Sequence, residues 1–97
     1  MHLTSSDGRY TLWMQGDGNL VLYGPSGRAQ WANHRFSSSF VVMQGDGNLV
    51  TYGGSGATWA SNTWGSGADR LVVQSDGNLV LYAGSRPVWA SNTAGRT

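Results

Sequence analysis

Nine residues, "QGDGNLVLY" from Gln15 to Tyr23, return as "QGDGNLVTY" at Gln44 to Tyr52 and as "QSDGNLVLY" at Gln74 to Tyr82. The interval is 29 residues from Gln15 to Gln44 and 30 from Gln44 to Gln74. Periods of this size mark units that cannot bury an apolar face alone, so each must pack against the others. Short apolar segments precede the runs ("TLWM", "VVM", "LVV"), and Trp-containing segments follow them: "WANHR" at Trp31, "WASNT" at Trp59 and again at Trp89. One unit therefore reads as apolar strand, repeated run, Gly/Ser turn and Trp strand. The three units cover approximately 1–38, 39–67 and 68–97 of a single domain, 1–97.

Asp-Gly between alternating apolar residues signals a hairpin, and a three-residue loop commonly ends on a left-handed Gly. The last loop position is Gly in all three copies (Gly18, Gly47, Gly77), whereas the first varies (Gly16, Gly45, Ser75). This pattern predicts a three-residue loop pairing Gln15 with Asn19, Met14 with Leu20 and Trp13 with Val21. Cross-strand partners share a face and neighbours alternate. Leu12, Met14, Leu20 and Leu22 then form a core face, as do Val41, Met43 and Leu49, and Leu71, Val73, Leu79 and Leu81. Thr51 is a polar exception in the second set. Gln15, Asn19, Val21 and Tyr23 take the opposite face, with Asp17 at the loop tip.

Fifteen Gly, five Trp, four Tyr and abundant Ser, Thr and Asn describe strands joined by tight turns, and no ten residues show a helical apolar period. The class is all-β. A chain of 97 residues buries only about 60–65% of its unfolded surface, so each large apolar residue counts. Three small antiparallel sheets bury their apolar faces by closing into a three-sided prism with pseudo-threefold symmetry. Trp31, Trp59 and Trp89 are candidates for its central axis. Trp89 to Thr93 is the copy that no later unit follows. It either closes the ring onto unit one or crosses to a neighbouring molecule, and exchange of a terminal strand is a low-cost route to a homodimer.

Charge is sparse, with six Arg, five Asp, no Lys, no Glu and a net +1. Without a basic cluster there is no electrostatic footprint for nucleic acid, and no apolar stretch approaches the roughly 18 residues of a membrane span. No membrane insertion is therefore expected. With no Cys, disulfides and thiolate metal sites are excluded. The repeated Asp-Gly-Asn also fails as a helix–loop–helix calcium site, which needs a Glu at loop position 12. Counted from each Asp, that position is Arg28, Ala57 or Pro87. Each repeat carries one Asp, whereas glycosidases need a pair of carboxyls, and nothing makes His2 or His34 a base or a ligand. No catalytic residue, cofactor or metal is expected.

A hairpin needs the Gly and apolar positions, but not Gln, Asp, Asn and Tyr together on the outward face. These supply an amide, a carboxylate, a second amide and a phenol around one Val. Such a set suits a ligand studded with hydroxyls and carrying C–H faces, and a sugar fits. Each neutral hydrogen bond nets about 0.5–1.5 kcal/mol in water, so a shallow monosaccharide site lies near millimolar, about −4 kcal/mol. Three copies engaging one glycan raise avidity by roughly 10²–10⁴. The rival is a prism that serves as an interaction or targeting module for another glycan or a protein, as in bacterial antagonism or defence.

The run Gln-x-Asp-x-Asn-x-Val-x-Tyr, three times, with Trp-Ala-Ser-Asn-Thr, resembles the monocot (bulb-type, snowdrop-like) mannose-binding lectin family over essentially the whole chain. The resemblance implies a β-prism II fold with one mannose site per sheet, no metal requirement, and mannose or mannose-rich glycans as partners. It implies that Asp17 and Asn19 hold the axial 2-hydroxyl, Gln15 the 3-hydroxyl and Tyr23 the 4-hydroxyl, while Val21 packs on the C3–C4 edge. Gln44, Asp46, Asn48, Val50 and Tyr52 repeat the set, as do Gln74, Asp76, Asn78, Val80 and Tyr82. The chain departs from many members in having no Cys. It also has only about ten residues before the first repeat, which bears on the completeness of the first sheet. "MHLTSSDGRY" shows no signal-peptide pattern and reads as a mature form with an added Met or a product made without one. A glycan-binding role favours a secreted or extracellular place.

Overall fold

Three hairpin loops of three residues organise the chain in the computed structural model, which describes residues 2–95. In each loop the residue before it and the residue after it close the turn. The Gln15 amide donates to the Asn19 carbonyl at 3.0 Å, and the Gly18 amide donates back to the Gln15 carbonyl at 3.0 Å. Gln44 with Asn48, and Gln74 with Asn78, repeat the pair. Gly18, Gly47 and Gly77 have φ of 89°, 91° and 93°, a region that only glycine enters without strain. The register follows the sequence expectation: Met14 faces Leu20 and Trp13 faces Val21.

Each hairpin becomes a sheet by adding the Trp strand. Sheet one holds β1 (His2–Thr4), β2 (Thr11–Met14), β3 (Leu20–Tyr23) and β4 (Ala29–Ala32) in that order. Sheet two holds β5 (Ser38–Met43), β6 (Leu49–Gly53) and β7 (Gly56–Ala60). Sheet three holds β8 (Arg70–Val73), β9 (Leu79–Ala83) and β10 (Arg86–Ala90), with β9 in the middle. All pairings are antiparallel. The short segment before the first repeat does form a strand: β1 pairs His2 with Trp13 and Thr4 with Thr11, so sheet one is the four-stranded one.

Every Trp strand carries the same irregularity. Trp31 pairs with Leu22 and Ala29 with Tyr23, leaving Gln30 as an extra residue. Thr58 and Val88 are the corresponding extra residues in β7 and β10. A bulge turns the following side chain relative to a regular strand, and here it sets each Trp opposite an inward residue: Leu22, Thr51 or Leu81. The three indoles meet on the axis with centroids 5.5, 5.7 and 5.8 Å apart and ring planes at 68–75°. Edge-to-face contact is the favourable geometry for such rings.

Around the indoles lie Leu12, Leu20, Leu22, Leu49, Leu79 and Leu81, all fully buried. Met14, Val41, Met43 and Leu71 of the expected core faces are half-buried and pack at the margins. Thr51 is fully buried where sheets one and three have leucine. Its hydroxyl meets that of Thr58 at 2.8 Å, and Thr58 in turn meets Ser38 at 2.6 Å. A polar network fills the space of a leucine, with each hydroxyl paired.

The ring closes differently from either expected route. β10 stays in its own sheet, paired with β9. Closure comes from the turn between β1 and β2, which packs on the third hairpin loop. Tyr10 is 1% exposed, and a Cβ added at Gly77 would meet its ring at 3.0 Å. The Arg9 guanidinium donates to the Ser75 carbonyl at 2.8 Å.

The indole contact should dominate stability. Trp31→Ala should cost about 3 kcal/mol, the low end for a Trp→Ala change because the ring is half-buried. Trp64→Ala, at a ring 73% exposed, should stay within about 0.5 kcal/mol. Urea midpoints of both variants check this, and a Trp31→Ala loss below the Trp64→Ala loss would remove the indoles from the centre of the account.

Candidate functional site

The repeated residues gather on the outer wall of each sheet because β2 and β3, β5 and β6, and β8 and β9 alternate strictly. Gln15 ends the first arm, Asp17 stands at the loop tip, and Asn19, Val21 and Tyr23 follow along the second arm. The Gln15 amide nitrogen donates to the Tyr23 hydroxyl, and Gln44 with Tyr52 and Gln74 with Tyr82 do the same. Val21, Val50 and Val80 are 3%, 4% and 3% exposed, so each is a floor and not a protruding contact. The structure thus brings all five residues together in each copy.

Asp and Asn divide their atoms between the fold and the surface. One oxygen of Asp17 accepts from the Asn19 amide at 3.0 Å, and Asp46 and Asp76 cap Asn48 and Asn78 at 3.0 and 2.9 Å. The second carboxylate oxygen has no hydrogen bond among the described residues. The side-chain oxygen of Asn19 accepts from the His34 amide at 2.9 Å. Asn48 accepts from the Thr63 amide and the Ser61 hydroxyl, and Asn78 from Thr93 and Ser91 in the same way. A backbone N–H can only donate, so these contacts define which end of each Asn side chain is the oxygen. The NH₂ is left for a ligand. Each wall therefore offers a carboxylate acceptor, an amide donor, a second amide and a phenol over an apolar floor.

The supporting hydroxyls escaped the sequence reading, which used only the Trp of "WASNT". Ser61 and Ser91 accept from the Leu49 and Leu79 amides at 3.0 Å, and Thr63 and Thr93 donate to the Gly47 and Gly77 carbonyls at 2.7 and 2.6 Å. Asn62 and Asn92, at φ of 59° and 60°, turn the chain so that the Thr reaches the loop. Asn tolerates this left-handed conformation better than most residues. The signal was available: Ser, Asn and Thr recur after Trp in two units, outside any strand. Unit one reads Asn33, His34 and Arg35 there, and it differs in detail. Asn33 accepts from the Leu20 and Arg35 amides, and its buried NH₂ has no partner among the described residues.

The three walls also differ in their neighbours. The residue opposite the Tyr is Thr11, Phe40 or Arg70. Phe40 stacks on Tyr52 at 5.4 Å, and the Arg70 guanidinium lies 5.0 Å from the centre of the Tyr82 ring. A shallow basin of about 640 Å³ at site one is bordered by Trp13, Met14, Gln15, Gly16, Asp17 and Tyr23. A depression of about 450 Å³ between β1 and β8 touches Gln74 alone among the fifteen residues. Among the described residues no group of three or more His, Cys, Asp or Glu is placed to hold a metal ion. No helix is long and apolar enough to cross a membrane.

A three-walled prism of antiparallel sheets, with one polar constellation per wall, defines the β-prism II fold class. No family model matches the chain, and no curated protein sequence does; the likeness lies with solved structures. A lectin from Marasmius oreades is 40% identical, with a TM-score of 0.87 and coverage of 99% of this chain and 83% of that one. Monomeric monocot mannose-binding lectins from Gastrodia elata are 40% identical, with a TM-score of 0.76 and coverage of 97% and 93%. A domain-swapped lectin dimer from Mycobacterium smegmatis is 40% identical, with a TM-score of 0.52 and coverage of 92% and 85%. The chain belongs to the monocot, bulb-type mannose-binding lectin family.

The brace on the third loop is electrostatic and gives a pH signature. Asp7 accepts from the Arg9 Nε at 2.7 Å, the Ser5 hydroxyl at 2.7 Å and the Arg9 amide at 3.1 Å. The Arg9 side chain first, then the Ser5 hydroxyl and the Arg9 amide, hold the Asp7 carboxyl well below the usual carboxylate range. A carboxyl lowered in the folded state stabilises it above the unfolded value of about 3.9, and that contribution disappears as pH falls below it. Asp7→Asn should therefore lower Tm at pH 6, and the gap to the parent chain should narrow as pH drops from 5 to 2.5. A gap independent of pH would show that the charge is not what holds the turn.

Proposed function

We propose that the chain is a single lectin domain that binds terminal mannose and mannose-rich glycans at three sites, without a metal ion and without catalysis. One observation carries the reading most: on every wall the Asn oxygen is tied to the fold, while its NH₂, one Asp oxygen, the Gln amide and the Tyr hydroxyl converge over a buried valine. Asp17 and Asn19 take the axial 2-hydroxyl, which the carboxylate accepts and the amide donates to. Gln15 takes the 3-hydroxyl, Tyr23 the 4-hydroxyl, and Val21 packs on the C3–C4 edge. Gln44, Asp46, Asn48, Val50 and Tyr52 act alike on the second wall, and Gln74, Asp76, Asn78, Val80 and Tyr82 on the third. The axial 2-hydroxyl separates mannose from glucose. A carboxylate makes the stronger, charge-assisted bond, so the Asp is the main source of discrimination. Each site holds one carboxyl and lacks the second that glycoside hydrolysis requires.

Calorimetric titration with methyl α-mannoside, in chelator, should show saturable binding near three sites per chain, with Kd on the order of 1 mM. Methyl α-glucoside should bind more weakly. Gln44→Ala with Asp46→Ala should lower the stoichiometry by one and leave the melting transition nearly unchanged, because neither side chain supports the core. Asn48 is the wrong residue for that test, since its oxygen holds Ser61 and Thr63. Silence for both sugars would leave the prism standing and hand the role to another glycan or a protein ligand.

Two chains can also form a homodimer by C-terminal strand exchange. β10 pairs only with β9, and the same pairs and the same indole contact can be made by the β10 of a second copy. The swapped dimer among the relatives supports this assembly. Light scattering on the eluting protein should give twice the chain mass, 10.3 kDa. A single chain mass across the concentration range would reject exchange.

A further inference from the structure

The three signatures match, but the strands beside them do not. Opposite the signature valine stand Trp13 at site one, Val42 at site two and Val72 at site three. Opposed residues share a face, so Trp13 stands on the ligand side, on the same face as Gln15. Its indole is 41% exposed. His2 of β1 lies against it, with ring centroids 4.5 Å apart and planes 31° apart. Because β1 and β3 flank β2, His2 steadies the indole from the side away from Val21. Val21 is no more buried than Val50 or Val80, so the indole does not lie over the signature. Instead it borders the 640 Å³ basin together with Gln15, Asp17 and Tyr23. That size falls within the 300–1,000 Å³ of small-molecule pockets, more than one pyranose needs.

We infer that site one is an extended site: the signature holds one mannose, and Trp13 stacks on the C–H face of the next pyranose of an α-linked mannose oligosaccharide. The inference rests on the mannose reading of the signature. A pyranose has a flat apolar C–H face, and an indole supplies a large rigid surface at low conformational cost. Met14, at the rim of the basin, adds an adaptable apolar contact. Site three is the internal reference, because Val72 has no flat surface and Ala94 follows its Thr93 where Trp64 follows Thr63 at site two. At site two the Phe40 ring is stacked on Tyr52. Site one therefore selects chains of two or more sugars, whereas site three takes single terminal residues.

Single-site proteins test this. Gln44→Ala, Asp46→Ala, Gln74→Ala and Asp76→Ala together leave site one; Gln15→Ala, Asp17→Ala, Gln44→Ala and Asp46→Ala leave site three. Each is titrated with methyl α-mannoside and with methyl α-mannobioside. Site one should prefer the disaccharide by about fivefold to tenfold, the factor expected from burying roughly 40–55 Å² more apolar surface. Site three should bind the two nearly equally. Trp13→Val in the site-one protein should bring its preference down to that of site three. Equal preferences at the two sites, or a preference that survives Trp13→Val, overturns the inference while leaving the mannose reading intact. A Trp13→Val protein that changes oligomeric state but keeps its preference makes the indole an interface residue and also overturns it. Failure of both proteins to bind methyl α-mannoside overturns the mannose reading, and this inference with it.

Discussion

Three indoles meeting edge to face are the contact on which the rest of the molecule depends. A three- or four-stranded sheet with one apolar face has no stable existence alone, and each unit here offers only a handful of leucines. The axis removes the problem in one place: each Trp covers the other two, and each is seated by a bulge at the same point of its strand. Since the indoles sit on the last strand of each sheet, the three sheets become one core only when all three Trp strands are docked. Such an arrangement predicts a cooperative unit and not a string of independent repeats.

The core and the outer walls are two sides of the same alternation. Leu20 and Leu22 point inward because Asn19, Val21 and Tyr23 point outward, and a slip of one residue in the register would exchange them. The three-residue loop prevents that slip. Its glycine both takes the left-handed conformation and lets the next segment pass close by: a Cβ at Gly18 would lie 2.2 Å from the Phe36 carbonyl oxygen. The geometry of the polar constellation is thus a by-product of hydrophobic register, made firm by hydroxyls that hold the Asn oxygen. Rigid walls of this kind present a ligand with groups already in place, which limits the ordering cost of a weak interaction.

Much of this was legible because the governing signals are local and repeated. Asp-Gly loops and period-two alternation predict the hairpins, the faces and the axial position of Trp31, Trp59 and Trp89. What stayed hidden depends on contacts between distant segments. β1 has three exposed residues and no apolar alternation, so pairing alone makes His2–Thr4 a strand. Closure through Arg9 and Tyr10 onto Ser75–Gly77 joins positions 66 residues and more apart, and no repeat announces it. Thr51 looked like a flaw in a leucine face. Its partner Thr58 is a bulge residue, and the bulge was not visible from composition or spacing.

Repetition also explains where the chain is free to vary. Loop glycines, inward leucines and axial indoles are each constrained by two other units, so all three copies must satisfy the same geometry. Residues opposite the signature face solvent and one neighbour only. That is where the copies part company: Trp13 against Val42 and Val72, and Thr11 against Phe40 and Arg70. A threefold scaffold with unlike rims gains avidity from three weak sites without making them redundant, since each rim adjusts what may follow the first sugar. Selectivity for a glycan longer than one residue then resides in side chains that the fold itself does not require.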